Sequence, residues 1–130
     1  MAEAWCGDGA QNIPVLQKLA AASNGRIEMR ILLRDDNPEA MNRYLTNGGR
    51  SIPKLIAIDT DSNELFTWGP RPKPAQQIII AWKQNPEVIT HDDAEKELYL
   101  WYAKDKGKTL QHEIVEKLKA VKRQHNSLFV

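Results

Sequence analysis

The first periodic pattern opens near Gly9, where Ile13, Leu16, Leu19 and Ala20 share one face of a helix that Asn24-Gly25 stops. Pro14 lies inside that stretch and, lacking a backbone N–H, is expected to kink or weaken its first turns. Residues 26–31 alternate polar and apolar before Leu32-Leu33, which predicts a strand with at least one buried face, ended by Asp35-Asp36-Asn37. Asn37-Pro38 supplies the cap and first turn of a short helix, in which Met41, Tyr44 and Leu45 share a face until Asn47-Gly48-Gly49. Residues 54–59 and 64–68 read as two strands of a hairpin, joined by the turn residues Asp61-Ser62-Asn63.

Downstream, Gly69-Pro70-Arg71-Pro72-Lys73-Pro74 is expected to be irregular, and a helix from Ala75 to Trp82 follows, closed by Asn85-Pro86. A further helix runs from about Asp92 to Lys104. It has acidic residues at its positive end and Leu98, Trp101 and Tyr102 on its apolar side. The last helix starts at Thr109 and repeats Leu110, Ile114, Leu118 and Val121 at helical spacing. Its Glu113, Glu116, Lys117, Lys119, Lys122 and Arg123 read as a solvated face.

With 130 residues, 42% hydrophobic and 27% charged, the chain has the balance of one ordinary globular domain. Its 18 basic and 17 acidic residues leave a formal charge of +1, so no strong field attracts nucleic acid or an anionic membrane. The longest apolar run, Ile78-Ile79-Ile80-Ala81-Trp82, is far short of the roughly 20 residues of a membrane span. The amino end lacks the basic start and apolar stretch of an export signal, so a cytoplasmic location is expected. A single cysteine fits a reducing compartment and excludes an intrachain disulfide, while a disulfide to a partner or a second copy stays open.

That cysteine, Cys6, lies just before the first helix, where unpaired N–H groups and the positive end of the helix dipole stabilise thiolate over thiol. Asp8 beside it works in the opposite direction. The alternative reading of a lone cysteine is a small apolar side chain used in packing. Trp5 also reads as core, as do Trp68, Trp82 and Trp101. His91, His112 and His125 have no metal-ligand spacing and are placed at the surface, so no metal site is expected. Arg71 reads as an exposed basic residue, with contact to an anion beside the proline-rich loop as its alternative.

The order of cysteine turn, helix, strand, helix, Ile-Pro, strand, turn, strand and helix resembles a thioredoxin domain from its active site onward. Trp5-Cys6-Gly7-Asp8-Gly9 is similar to the family's Trp-Cys-Gly-x-Cys. Pro14 matches the proline of the active-site helix, and Ser51-Ile52-Pro53 the segment with the cis-proline. Trp68-Gly69-Pro70-Arg71-Pro72 and the extra terminal helices resemble a bacterial branch of thioredoxin-like proteins that usually reads Cys-Gly-Asp-Cys. The implied fold is α/β, a three-layer α/β/α thioredoxin-like domain over residues 1–86 that lacks its N-terminal β-α-β unit. Residues 87–130 are expected as a helical extension packed on the same domain.

The resemblance implies Cys6 as the catalytic thiol. It also implies Trp5, Gly7, Asp8, Ile52 and Pro53 as substrate-binding residues, with Pro53 in a cis peptide and the Ile52 backbone aligning a partner chain. Gly9 stands where the resolving cysteine should be, so a mixed disulfide waits for glutathione or another thiol to release it. The implied activity is monothiol thiol-disulfide exchange with protein thiols or disulfides, with no resident cofactor and glutathione as the external thiol. A redox-inactive thioredoxin-fold module that binds protein through the same groove is the alternative. A glutathione-dependent iron-sulfur dimer, similar to some monothiol glutaredoxins, is third. Only five residues precede Cys6, so the family's central strand is missing between the segments near Ile27 and Leu55. A fragment, direct pairing of the surviving strands, or two chains completing each other would account for that, and an altered sheet or a homodimer is the expectation.

Overall fold

The computed structural model describes residues 1–127, with side chains through Gln124; His125, expected at the surface, lies outside the described side chains. Five helices and one hairpin form in the order α1 (Gly7–Ala22), α2 (Pro38–Asn42), β1 (Leu55–Ile58), β2 (Glu64–Trp68), α3 (Lys73–Gln84), α4 (His91–Asp105) and α5 (Lys108–Ser127). Helix α1 starts two residues before Gly9 because Cys6 serves as its N-cap, and it continues through Pro14. It ends where Ser23 Oγ bonds back to Ala20 O at 2.6 Å, and Asn24 and Gly25 then turn the chain in the left-handed region, with φ of 55° and 81°.

β1 and β2 pair antiparallel with Leu55 opposite Trp68 and Ala57 opposite Phe66, and the register slips between Ala57 and Ile58. Asp59 closes the turn by accepting from the N–H groups of Asp61 and Asn63, each at 2.9 Å. Lys73 and Pro74, expected in the irregular loop, instead form the first turn of α3, where a proline lacks only a bond that the helix end would leave unmade. α4 is capped by Thr90, whose Oγ1 accepts from Asp93 N at 3.1 Å.

The strand expected over residues 26–33 is not a regular strand. Alternating residues favour extended backbone, but a ladder needs a neighbour, and among the described residues this segment's bridge is to Ala2. Ala2 makes a parallel bridge to Leu33, with Ala2 N donating to Leu32 O at 2.9 Å and Arg34 N to Ala2 O at 3.1 Å. Met1 pairs on the other side, exchanging bonds with Lys54 at 2.8 and 3.0 Å. The segment near Ile27 and the hairpin therefore do not pair directly; the backbone of Met1 and Ala2 lies between them. Ile27, Ile31, Leu32 and Leu33 stay exposed.

Two apolar clusters hold the helices. Leu16 of α1, Trp68 of β2 and Leu110 and Ile114 of α5 form the first, with Val15, Leu19, Phe66 and Leu118 against it. Ala75 of α3 with Leu98 and Tyr102 of α4 form the second. Glu113, expected on the solvated face of α5, is half-buried. It accepts from Trp68 Nε1 at 2.8 Å and from Lys73 N at 3.0 Å, joining α5 to the hairpin and to the start of α3. Burying the Trp68 indole requires such a partner for its N–H. No helix among the described residues is long and apolar enough to cross a membrane.

Candidate functional site

Cys6 is half-buried at the N-terminus of α1, and its Sγ accepts the otherwise unpaired N–H of Gly9 at 3.4 Å. The same sulfur lies 3.5 Å from the carbonyl oxygen of Ile52, to which the thiol donates. The Ile52–Pro53 peptide is cis, and both residues are buried. Behind them Gly69, with φ of 121°, approaches so closely that an added Cβ would fall 2.3 Å from Pro53 O, so only glycine fits. The loop that passes through Gly69 carries Arg71 toward the thiol turn.

There Arg71 grips the Asp8 carboxylate with two prongs, Nη2 to Oδ2 at 2.7 Å and Nε to Oδ1 at 3.2 Å, and donates through Nη1 to Gln76 at 2.6 Å. The side chains of Arg71 and Asp8 are only 15% and 12% exposed. Arg71 is thus not the exposed basic residue its sequence context suggests: the anion that holds it is Asp8. Burial alone would lower the Arg71 pKa, but the Asp8 carboxylate outweighs it and holds it above the usual value. Tyr102 of α4 donates to Asp8 Oδ1 at 2.5 Å. The buried Asn12 donates its amide to Asp8 O at 2.9 Å and to Tyr102 Oη at 3.0 Å. Burial, reinforced by Asp8, pushes the Tyr102 hydroxyl far above its ordinary value, so it remains a donor.

Trp5 is not core. It is 67% exposed, and the Arg34 guanidinium stacks over its ring at 5.0 Å. Gly7 and Asp8 instead border a cleft of about 440 Å³ whose other walls include Ser51, Gln76, Trp82, Lys83 and Tyr99. The Tyr99 hydroxyl stands over Gly7, and its pKa is raised by burial first and then by the charges of Asp8, Glu95 and Cys6. Cys6, Gly7, Asp8, Gly9, Ile52 and Pro53 are therefore gathered at one place, while Trp5 stands at its solvent edge. His91, Asp92 and Glu95 offer donor atoms within 4.8 Å of one another on the exposed first turn of α4, a grouping that a search for histidine spacing alone passes over.

Sequence reasoning missed Asn12, Tyr99 and Tyr102 as neighbours of the thiol turn. Asn12 lies four residues beyond Asp8, one helical turn, which was a usable signal. Tyr102 lies 94 residues away, and its place on an apolar helix face masked the hydroxyl's role.

A family model described as Thioredoxin matches residues 1–83. Searches of curated proteins and of solved structures found no match. With the match running from the first residue through the cysteine turn, the cis-proline segment, the hairpin and most of α3, the chain belongs to the thioredoxin family.

Proposed function

We propose that this protein is a thioredoxin-like thiol protein in which Cys6, acting alone, forms mixed disulfides with protein partners or glutathione. The observation that carries this reading is the placement of Cys6 Sγ at the α1 N-terminus, 3.4 Å from Gly9 N and beside the cis Ile52–Pro53 peptide. A thiolate there attacks one sulfur of a partner disulfide: the Cys6–partner S–S bond forms, the partner's own S–S bond breaks, and the leaving thiolate takes a proton from water. No net oxidation occurs. Gly9 supplies no second thiol, so an external thiol such as glutathione must attack the mixed disulfide and return Cys6 to its reduced form. The backbone of Ile52 beside the sulfur supports a role in aligning the partner chain.

A specific observation favours a second reading, a redox-inactive module that binds protein. The cleft of about 440 Å³ is lined by Gly7, Asp8 and Ser51 but not by Cys6, so a partner seated in it does not need the thiol. One experiment separates the two. The reduced protein is incubated with glutathione disulfide at pH 7, with Cys6→Ser as the blank. Gain of one glutathionyl group, faster than on the urea-unfolded chain, supports the thiol reading. Modification only after unfolding overturns it in favour of the binding module.

A further inference from the structure

The motif places a carboxylate two residues along the chain from its nucleophile, and an anion near a thiol disfavours thiolate. The fold answers with a cation from 63 residues away, held on that carboxylate by two bonds, the two side chains only 15% and 12% exposed. We propose that Arg71 is a positioning residue for the Cys6 thiol: by pairing with Asp8 it cancels the negative charge beside the sulfur and so sets how fast Cys6 reacts. The inference deepens the reading of Cys6 as a thiolate nucleophile and rests on it for its functional meaning.

The geometry supports a charge role beyond a structural one. Asp8 already has Tyr102 and, through its backbone carbonyl, Asn12 as neutral donors, so the turn is pinned to α4 without any cation. Arg71 adds a full positive charge, held on the Asp8 carboxylate by two bonds at 2.7 and 3.2 Å. The other titratable groups facing the thiol turn are Tyr99 and Tyr102 of α4, both held protonated, with Glu95 acting on Tyr99 from the same helix. Among these groups the ionised pair beside the thiol turn is Asp8 with Arg71. Removing one partner exposes the charge of the other, so the two single substitutions must act in opposite directions.

The test is the rate of Cys6 alkylation by iodoacetamide across pH 6–9 on the full chain, with folding checked by circular dichroism. Arg71→Gln is expected to slow the reaction about three- to tenfold at pH 7, because Asp8 is left uncompensated. Asp8→Asn keeps the Tyr102 acceptor but leaves Arg71 unpaired, and is expected to speed the reaction by a similar factor. The double variant Asp8→Asn/Arg71→Gln should return within about twofold of wild type, and Arg71→Lys should keep most of the wild-type rate. Single variants that move in the same direction, or an Asp8→Asn rate unchanged within twofold, overturn the proposal. If Arg71→Gln does not fold, Asp8→Asn and the double variant still decide it. The order of the variants is independent of whether wild-type Cys6 takes up glutathione, so failure of the functional reading is told apart from failure of this one.

Discussion

The hydroxyl of Tyr99 sits over Gly7 so closely that a β-carbon added at position 7 would lie 1.9 Å from it, with the next ring atom at 3.1 Å. Position 7 thus favours glycine because of a side chain from α4, not because of its own backbone angles. Gly7→Ala should destabilise the fold by about 1 kcal/mol as the half-exposed tyrosine is pushed aside, less than a buried overpacking would cost. In a Tyr99→Phe background, where the nearest atom is gone, most of that loss should disappear. Urea denaturation of the four variants checks this, and an undiminished loss in the double variant would remove Tyr99 as the cause.

A β-carbon built at Gly9 lies 3.5 Å from Cys6 Cβ and 3.7 Å from Cys6 Sγ, with ordinary contact to Ile13. That Cβ separation is within the range of about 3.5–4.5 Å found in disulfides. Gly9→Cys is therefore expected to fold and, on mild oxidation, to close an internal disulfide, read as the loss of both free thiols without a dimer. The variant should then release mixed disulfides unaided, which wild type should not. A Gly9→Cys protein that keeps two free thiols after oxidation would mean that the turn cannot bring the sulfurs together.

Asn12 is 2% exposed, and its amide serves both the Asp8 carbonyl and the Tyr102 hydroxyl. Asn12→Ala removes that donor and leaves a small void, at an expected cost of about 1–3 kcal/mol. Chemical denaturation measures it. Because the same bonds tie α4 to the thiol turn, faster hydrogen exchange at α4 amides should accompany the loss.

Tyr102 gives the fold an alkaline limit. In the unfolded chain it loses its proton near its ordinary value of about 10, whereas burial and then Asp8 keep it protonated in the fold. The stability it contributes is complete below pH 10 and falls as pH rises above it, by up to about 1.4 kcal/mol per pH unit. Tyr102→Phe should be less stable at pH 7 yet decline less steeply between pH 10 and 11. Denaturant midpoints across that range give the comparison, and parallel slopes would show that other groups govern the alkaline limit.

The parts of this molecule that were legible in the sequence are those whose physics is local. Helices α1, α3, α4 and α5 follow from apolar spacing and from Gly, Asn and Pro punctuation, and the hairpin from its turn at Asp61-Ser62-Asn63. The cysteine turn and Ile52-Pro53 were visible as short motifs. Residues 26–33 misled because alternation reports what a chain prefers, while a strand also needs partners that lie elsewhere. Arg71 and Glu113 misled for a related reason. A charged residue on a polar loop or helix face looks solvated until the carboxylate or indole it meets, 63 or 45 residues away, is known. Trp5 showed the reverse error, a large ring that stays outside against Arg34.

The pairing of Met1 and Ala2 with both flanking segments fixes a length as well as a sheet. Only Glu3, Ala4 and Trp5 connect the last paired residue to Cys6, and Cys6 N is itself tied to Glu3 O at 3.2 Å. The sulfur's position is thus measured off the sheet by a spacer with no slack. Glu3 and Trp5 hold that spacer from the side as well, Glu3 Oε1 accepting from Asp35 N at 2.9 Å and Trp5 lying under Arg34, so one residue more or fewer would carry Cys6 away from Ile52.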